Sequence, residues 1–124
     1  MKVRIAAIAF ALASCSAPLP VADQQGPPHE LAGRVAGPPQ SCVTIDQASS
    51  LRISENNRHV LLYGTGRTIW ANRLGQCGFG ADDLLITEPF AGSHCRGDLV
   101  RSIDRSSHIP GPACVLKDFV PYRR

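Results

Sequence analysis

No two cysteines of this chain stand two to four residues apart, the spacing that structural zinc sites use for their ligand pairs. Cys15, Cys42, Cys77, Cys95 and Cys114 are separated by long gaps instead. There is also no apolar run of about 20 residues, the length a helix requires to cross a bilayer. Aromatic residues are few, one Trp, two Tyr and four Phe in 124 residues, which leaves no stacking platform for single-stranded nucleic acid. His59, His94 and His108 share no spacing that would aim two of them at one metal. Asp82 and Asp83 lie outside any Asp-x-Asp-x-Asp loop of the calcium-binding kind. Gly64-Thr65-Gly66 is not a dinucleotide loop, because Ile69 occupies the position of its third glycine. The sequence therefore gives no reason to expect a metal, a cofactor or a nucleic-acid partner.

What is present begins with an address. Met1-Lys2-Val3-Arg4 supplies a positive start, and Ile5 to Ala13 is an uncharged apolar run followed by the small residues Ser14 and Cys15. That layout is an export signal. Leu12-Ala13-Ser14-Cys15 resembles the bacterial lipoprotein signal, and the resemblance implies that residues 1–14 are removed and that Cys15 is acylated. Stable anchoring takes more than one acyl chain, which a diacylglyceryl cysteine supplies. Ser16 stands where an inner-membrane retention signal would carry Asp, so the resemblance implies a periplasm-facing lipoprotein of the outer membrane.

Loss of the leader also changes the charge. The precursor has 13 Lys+Arg against 10 Asp+Glu. Lys2 and Arg4 leave with residues 1–14, so the mature chain carries 11 against 10, a net charge near +1. A strongly basic chain would have pointed to phosphate backbones or anionic lipid, and that pointer largely disappears.

From Ser16 to Gln40 the chain holds Pro18, Pro20, Pro27, Pro28, Pro38 and Pro39 together with Gly26, Gly33 and Gly37. Such composition predicts a solvated, partly polyproline-II tether over 15–40, with His29 and Glu30 as solvated side chains. The folded part is then 41–124, small enough that covalent staples matter. Cys42, Cys77, Cys95 and Cys114 form an even set for an oxidising compartment, which predicts two disulfides. Four cysteines allow three pairings. Cys42–Cys77 with Cys95–Cys114 is the expected one, since each bond closes a moderate loop worth about 3 kcal/mol in the chain-entropy model.

The folded part reads as all-β. Cys42 to Asp46 alternates apolar and polar residues, with Leu51 and Ile53 continuing after a turn. Val60-Leu61-Leu62-Tyr63, the break at Gly64 to Arg67 and the run Thr68-Ile69-Trp70-Ala71-Asn72 predict a β-hairpin. Further strands are expected at Leu84 to Thr87, at Leu99 to Ile103 and at Cys114 to Val120, the last one ended by Pro121. Together they predict five or six strands in a partly open barrel of OB-like or SH3-like size, with one helical turn near Asp46 to Ser50.

Four candidate sites for chemistry or binding can be read in the folded part. His94 and Cys95 would form a nucleophile pair only if Cys95 were a free thiolate, and the even cysteine set opposes that. A hydrolase could use His94 or Asp98 if a deep pocket joined them to another titratable group. Arg96-Gly97-Asp98 matches an adhesion tripeptide, but a tight turn at Gly97 with Asp98 bonding local amides accounts for it. Arg96, Arg101 and Arg105 could form a cationic strip for a lipid headgroup or an anionic glycan, although Asp98 and Asp104 interleave with them.

The ordered set Cys42-Val43, Gly66-Arg67-Thr68-Ile69-Trp70, Asn72-Arg73-Leu74, Cys77, Cys95-Arg96-Gly97-Asp98 and Cys114 to Pro121 resembles a family of small, uncharacterised bacterial envelope proteins with four such cysteines. The resemblance implies architecture and address, and carries no catalytic residue. The reading that follows is a non-enzymatic, membrane-anchored module that binds an envelope protein or glycan. Inhibition of a secreted hydrolase such as lysozyme is the narrower alternative, and a hydrolase is the remaining one.

Overall fold

Two apolar surfaces on a single sheet organise this molecule, and they trace to a run that does not alternate. The computed structural model describes residues 26–124; the expected leader, Cys15 and the first part of the tether lie outside the described residues. Val60-Leu61-Leu62-Tyr63 is buried at all four positions. Successive strand residues point to opposite faces, so both faces of this strand must be covered.

The described residues form ten strands and one 3-10 turn at His29–Leu31. The strands are β1 (Val35–Ala36), β2 (Cys42–Thr44), β3 (Arg52–Ile53), β4 (Val60–Tyr63), β5 (Thr68–Arg73), β6 (Asp83–Thr87), β7 (Ser93–Cys95), β8 (Leu99–Asp104), β9 (Cys114–Val115) and β10 (Phe119–Arg123). A five-stranded sheet runs β1-β10-β5-β4-β3, a three-stranded sheet runs β6-β8-β9, and β2 pairs with β7. Every pairing is antiparallel. The fold is thus all-β with two disulfides, as expected. It differs from the expected partly open barrel of five or six strands because the ladders end in three separate sheets.

The predicted hairpin is β4–β5, with Leu62 opposite Ala71 and Tyr63 opposite Trp70. Gly64 and Gly66 both take positive φ in its turn, a region that costs other residues strain. A Cβ on Gly64 would also lie 3.0 Å from the Thr68 carbonyl oxygen. One face of the sheet contributes Leu61, Tyr63 and Phe119 to a core shared with Val43, Val100 and Leu116. The other face contributes Val60, Leu62, Ile69 and Ala71, and Leu31 covers it.

That cover corrects the tether. Residues 26–40 are not a solvated spacer. Leu31 is buried, and Val35 and Ala36 pair with Arg123 and Tyr122. Gln40 exchanges backbone bonds with Phe119. Asn57 Nδ2 donates to the Gly26 carbonyl at 2.7 Å and Asn56 Nδ2 to the Pro27 carbonyl at 2.8 Å. Glu30 accepts from the Glu55 backbone N–H at 2.8 Å and the Ser54 hydroxyl at 2.9 Å. Proline and glycine removed regular structure from this segment without removing its docking, because the uncovered face of the sheet needed an apolar lid.

The disulfide pairing is also corrected: the bonds are Cys42–Cys95 and Cys77–Cys114. Cys42 stands directly opposite Cys95 in the β2–β7 register, so sheet pairing and not loop length chose the partner. The expected last strand is two. β9 belongs to the three-stranded sheet and β10 to the five-stranded one, with Pro121 inside β10 and not at its end. Pro121 is tolerated because a residue's N–H and C=O point to the same side of a strand. Its carbonyl accepts from Gly37, where the short β1 has already ended. Gly37 suits this close approach, since a Cβ would lie 3.0 Å from Pro121 Cγ. Asp46 to Ser50 forms a turn without a helix.

Candidate functional site

The three-stranded sheet buries one face and leaves the other open. On β8 Val100 and Ser102 are buried, while Leu99 and Arg101 are exposed and Ile103 is half-buried. Cross-strand register sets Leu84 opposite Ile103, Ile86 opposite Arg101 and Leu99 opposite Val115. Facing pairs share a side of the sheet, so Leu84, Ile86, Leu99, Ile103 and Val115 surround Arg101 on one surface. Leu84, Ile86, Leu99 and Val115 are each 40–46% exposed. Contiguous aliphatic surface of this kind marks interaction sites more often than isolated exposed residues do.

A groove of about 450 Å³ runs over this surface, between Ile86 on β6 and the Pro110–Ala113 segment, with Glu88 and Asp98 at its rim. The far wall is held by two bonds. The Gly111 N–H donates to the Ser102 carbonyl at 2.9 Å, and the Ser102 hydroxyl donates to the Pro112 carbonyl at 2.9 Å. A Cβ on Gly111 would meet Ser102 Oγ at 2.5 Å, so the wall approaches β8 only because residue 111 is glycine. Below it, the Asp104 carboxylate accepts from the Ser106 and Ser107 N–H groups and the Ser107 hydroxyl. Those bonds hold its pKa below the ordinary value and fix the turn that starts the wall.

Arg96, Arg101 and Arg105 do not form one strip. Arg101 lies in the groove, and among the described residues it makes no ion pair. Arg105 is exposed in the turn after β8. Arg96 lies in a separate depression beside Arg73 and Lys117, where it is bonded to Asp118 at 3.1 Å. The Arg96-Gly97-Asp98 turn is used by the chain itself. Gly97 has a φ of 93°, and the Asp98 carboxylate accepts from the Cys95 N–H at 2.9 Å.

His94 is buried and meets Tyr63 edge to face, with ring centroids 5.5 Å apart. Burial lowers its pKa, and the opposing charge of Asp98 only partly restores it. The gap bounded by His94, Asp98 and Leu116 has no room for a water molecule. Cys95 is bonded to Cys42, so it is not a free nucleophile. Among the described residues no group of three His, Cys, Asp or Glu side chains could hold a metal ion. No helix of the described residues is long and apolar enough to cross a membrane.

The apolar face itself was missed from sequence. Its signal was present in Leu99-Val100-Arg101-Ser102-Ile103, where aliphatic residues occupy both faces of a strand that has only one core to fill. No family model, curated protein or solved structure matches this chain.

Proposed function

We propose that the protein is a lipoprotein of the bacterial envelope, held through acylated Cys15, whose β domain is a non-enzymatic binding module. The observation that carries the binding reading is the aliphatic surface around Arg101, whose charge has no partner within the described chain. The occupant that fits is an extended segment of another envelope protein. Aliphatic side chains would lie on Ile86, Leu99 and Ile103, and a carboxylate would meet Arg101, in keeping with charge complementarity across interfaces. β6 supports this reading because it is an edge strand, paired only with β8, and an extended segment can bond to its free side.

The test is site-specific photo-cross-linking in intact cells. Probes at Leu84 and Leu99 should give a discrete adduct that a probe at Gln76 does not, and Arg101→Glu should abolish it. Equal adducts from all three positions, or an adduct indifferent to Arg101→Glu, would refute the assignment. Intact mass of the membrane-extracted chain should show acylation at Cys15, with Cys15→Ala released from the membrane.

Inhibition of a secreted hydrolase is a second reading, favoured by one feature. Ile109 is 64% exposed on the loop that Asp104, Ser102 and Gly111 fix in place, the form of a segment that inserts into a cleft. Micromolar protein should then slow lysozyme-driven lysis of peptidoglycan, and an unchanged rate would remove the idea.

A further inference from the structure

Four arginines, Arg34, Arg67, Arg123 and Arg124, lie at one corner of the five-stranded sheet, in a different sheet from Arg101. The Arg67 carbonyl is their hub. It accepts from Arg34 Nη1 at 3.0 Å and from the Arg124 backbone N–H at 3.2 Å. Arg123 pairs with Val35 on one side and Thr68 on the other, so its side chain stands on their face of the sheet, one residue along the chain from Arg34 and from Arg67. Arg67, Arg123 and Arg124 are exposed. None of the four makes an ion pair among the described residues. Glu30, the acid nearest to Arg34 in the described chain, is turned to Ser54 and Glu55 at the opposite end of β4. Val35 sits within this cationic set and is 75% exposed.

We infer that this corner is a contact surface for the phosphate groups of anionic membrane lipid. Clustered arginines are drawn to anionic headgroups, with each residue near the surface strengthening binding about fivefold. Arginine also presents a planar fork suited to phosphate oxygens. An exposed aliphatic residue among cations suits the boundary between headgroups and acyl chains, which a soluble phosphate would not reward. The inference extends the lipoprotein reading by giving the domain an orientation on the membrane. Cys15 and Gly26 are eleven residues apart, a distance of at most about 38 Å. β4, which separates the Gly26 end of the domain from the arginine corner, spans only about 13 Å. The anchor therefore lets the corner reach the lipid.

The test uses chain 15–124 carrying Cys15→Ser, which retains every described residue and all four disulfide cysteines but has no site for acylation. It should sediment with vesicles containing about one-third phosphatidylglycerol, release as salt is raised, and leave pure phosphatidylcholine vesicles unbound. Arg67→Gln with Arg123→Gln should weaken binding about twenty-five-fold, while Arg67→Lys with Arg123→Lys should retain it. Circular dichroism and non-reducing mobility confirm that both variants fold. Binding indifferent to the anionic fraction, or to the Gln pair, would overturn the inference. So would titration of these arginine resonances by inorganic phosphate at concentrations that leave vesicles unbound, because the corner would then be a phosphate site and not a membrane surface. A chain found unacylated at Cys15 would refute the anchor and leave the vesicle result standing, so the two failures are distinguishable.

Discussion

Asn72 serves as a strand partner to the backbone of Lys117. Its Oδ1 accepts from the Lys117 N–H at 2.8 Å, and its Nδ2 donates to the Lys117 carbonyl at 2.8 Å. Lys117 lies in the link between β9 and β10, where the chain leaves one sheet for another and no ladder satisfies its backbone. Asn72 is itself fully buried. Asn72→Ala would leave two backbone groups without partners, at a cost of about 3 kcal/mol. Urea unfolding should show a lower midpoint with an unchanged slope, and a loss below about 0.5 kcal/mol would mean that water replaces the amide.

The N-terminal lid rests on Leu31 and Glu30. Leu31→Ala removes the side chain that closes the outer face of the five-stranded sheet, and should cost about 2–3 kcal/mol. Hydrogen exchange at Val35 and Gly37, whose N–H groups face β10, should accelerate together, because the lid would open as a unit. Persistent protection there would show that the backbone bonds to β10 suffice without the apolar contact.

The lid should also loosen in acid. Burial raises the pKa of Glu30, but bonds from the Glu55 N–H, from its own N–H and from the Ser54 hydroxyl, together with the charge of Arg52, lower it further, and the net direction is down. A carboxyl with a depressed folded pKa stabilises above its unfolded value and loses that contribution as pH falls through the folded one. Glu30→Gln should therefore flatten the stability profile below about pH 4.5. A profile identical to the parent would show that the bonds do not persist in solution.

His94 acts at higher pH. Its pKa is lowered mainly by burial, so the unfolded chain binds a proton before the folded one does. Stability is then lost as pH falls below about 6.5, the ordinary histidine value. His94→Gln should reduce the fall in melting temperature between about pH 7 and pH 5. An unchanged fall would assign that limb to other groups.

The cross-links should be separable. Non-reducing peptide mapping should yield Cys42–Cys95 and Cys77–Cys114 peptides, and Cys42→Ser with Cys95→Ser should cost about 4 kcal/mol in the chain-entropy model. Peptides joining Cys42 to Cys77 would contradict the β2–β7 register.

What could be read from the chain was local. The hairpin at Val60 to Asn72 is written in strand-length apolar runs around Gly64 and Gly66, and the turn at Gly97 and Asp98 in a positive-φ residue beside a short acceptor. The even cysteine set implied two disulfides for the same kind of reason, because it depends on chemistry and not on position. The partners of those cysteines, the docking of Leu31, the split of the last strand around Lys117 and the arginine corner all join residues far apart in sequence. Alternation says which residues of a strand share a face, but not which strand lies beside it. Sheet register set Cys42 against Cys95, and register at Arg123 with bonds to the Arg67 carbonyl brought Arg34, Arg67, Arg123 and Arg124 to one corner. Whether a proline-rich segment stays in water was decided by the uncovered face of the sheet it lies against.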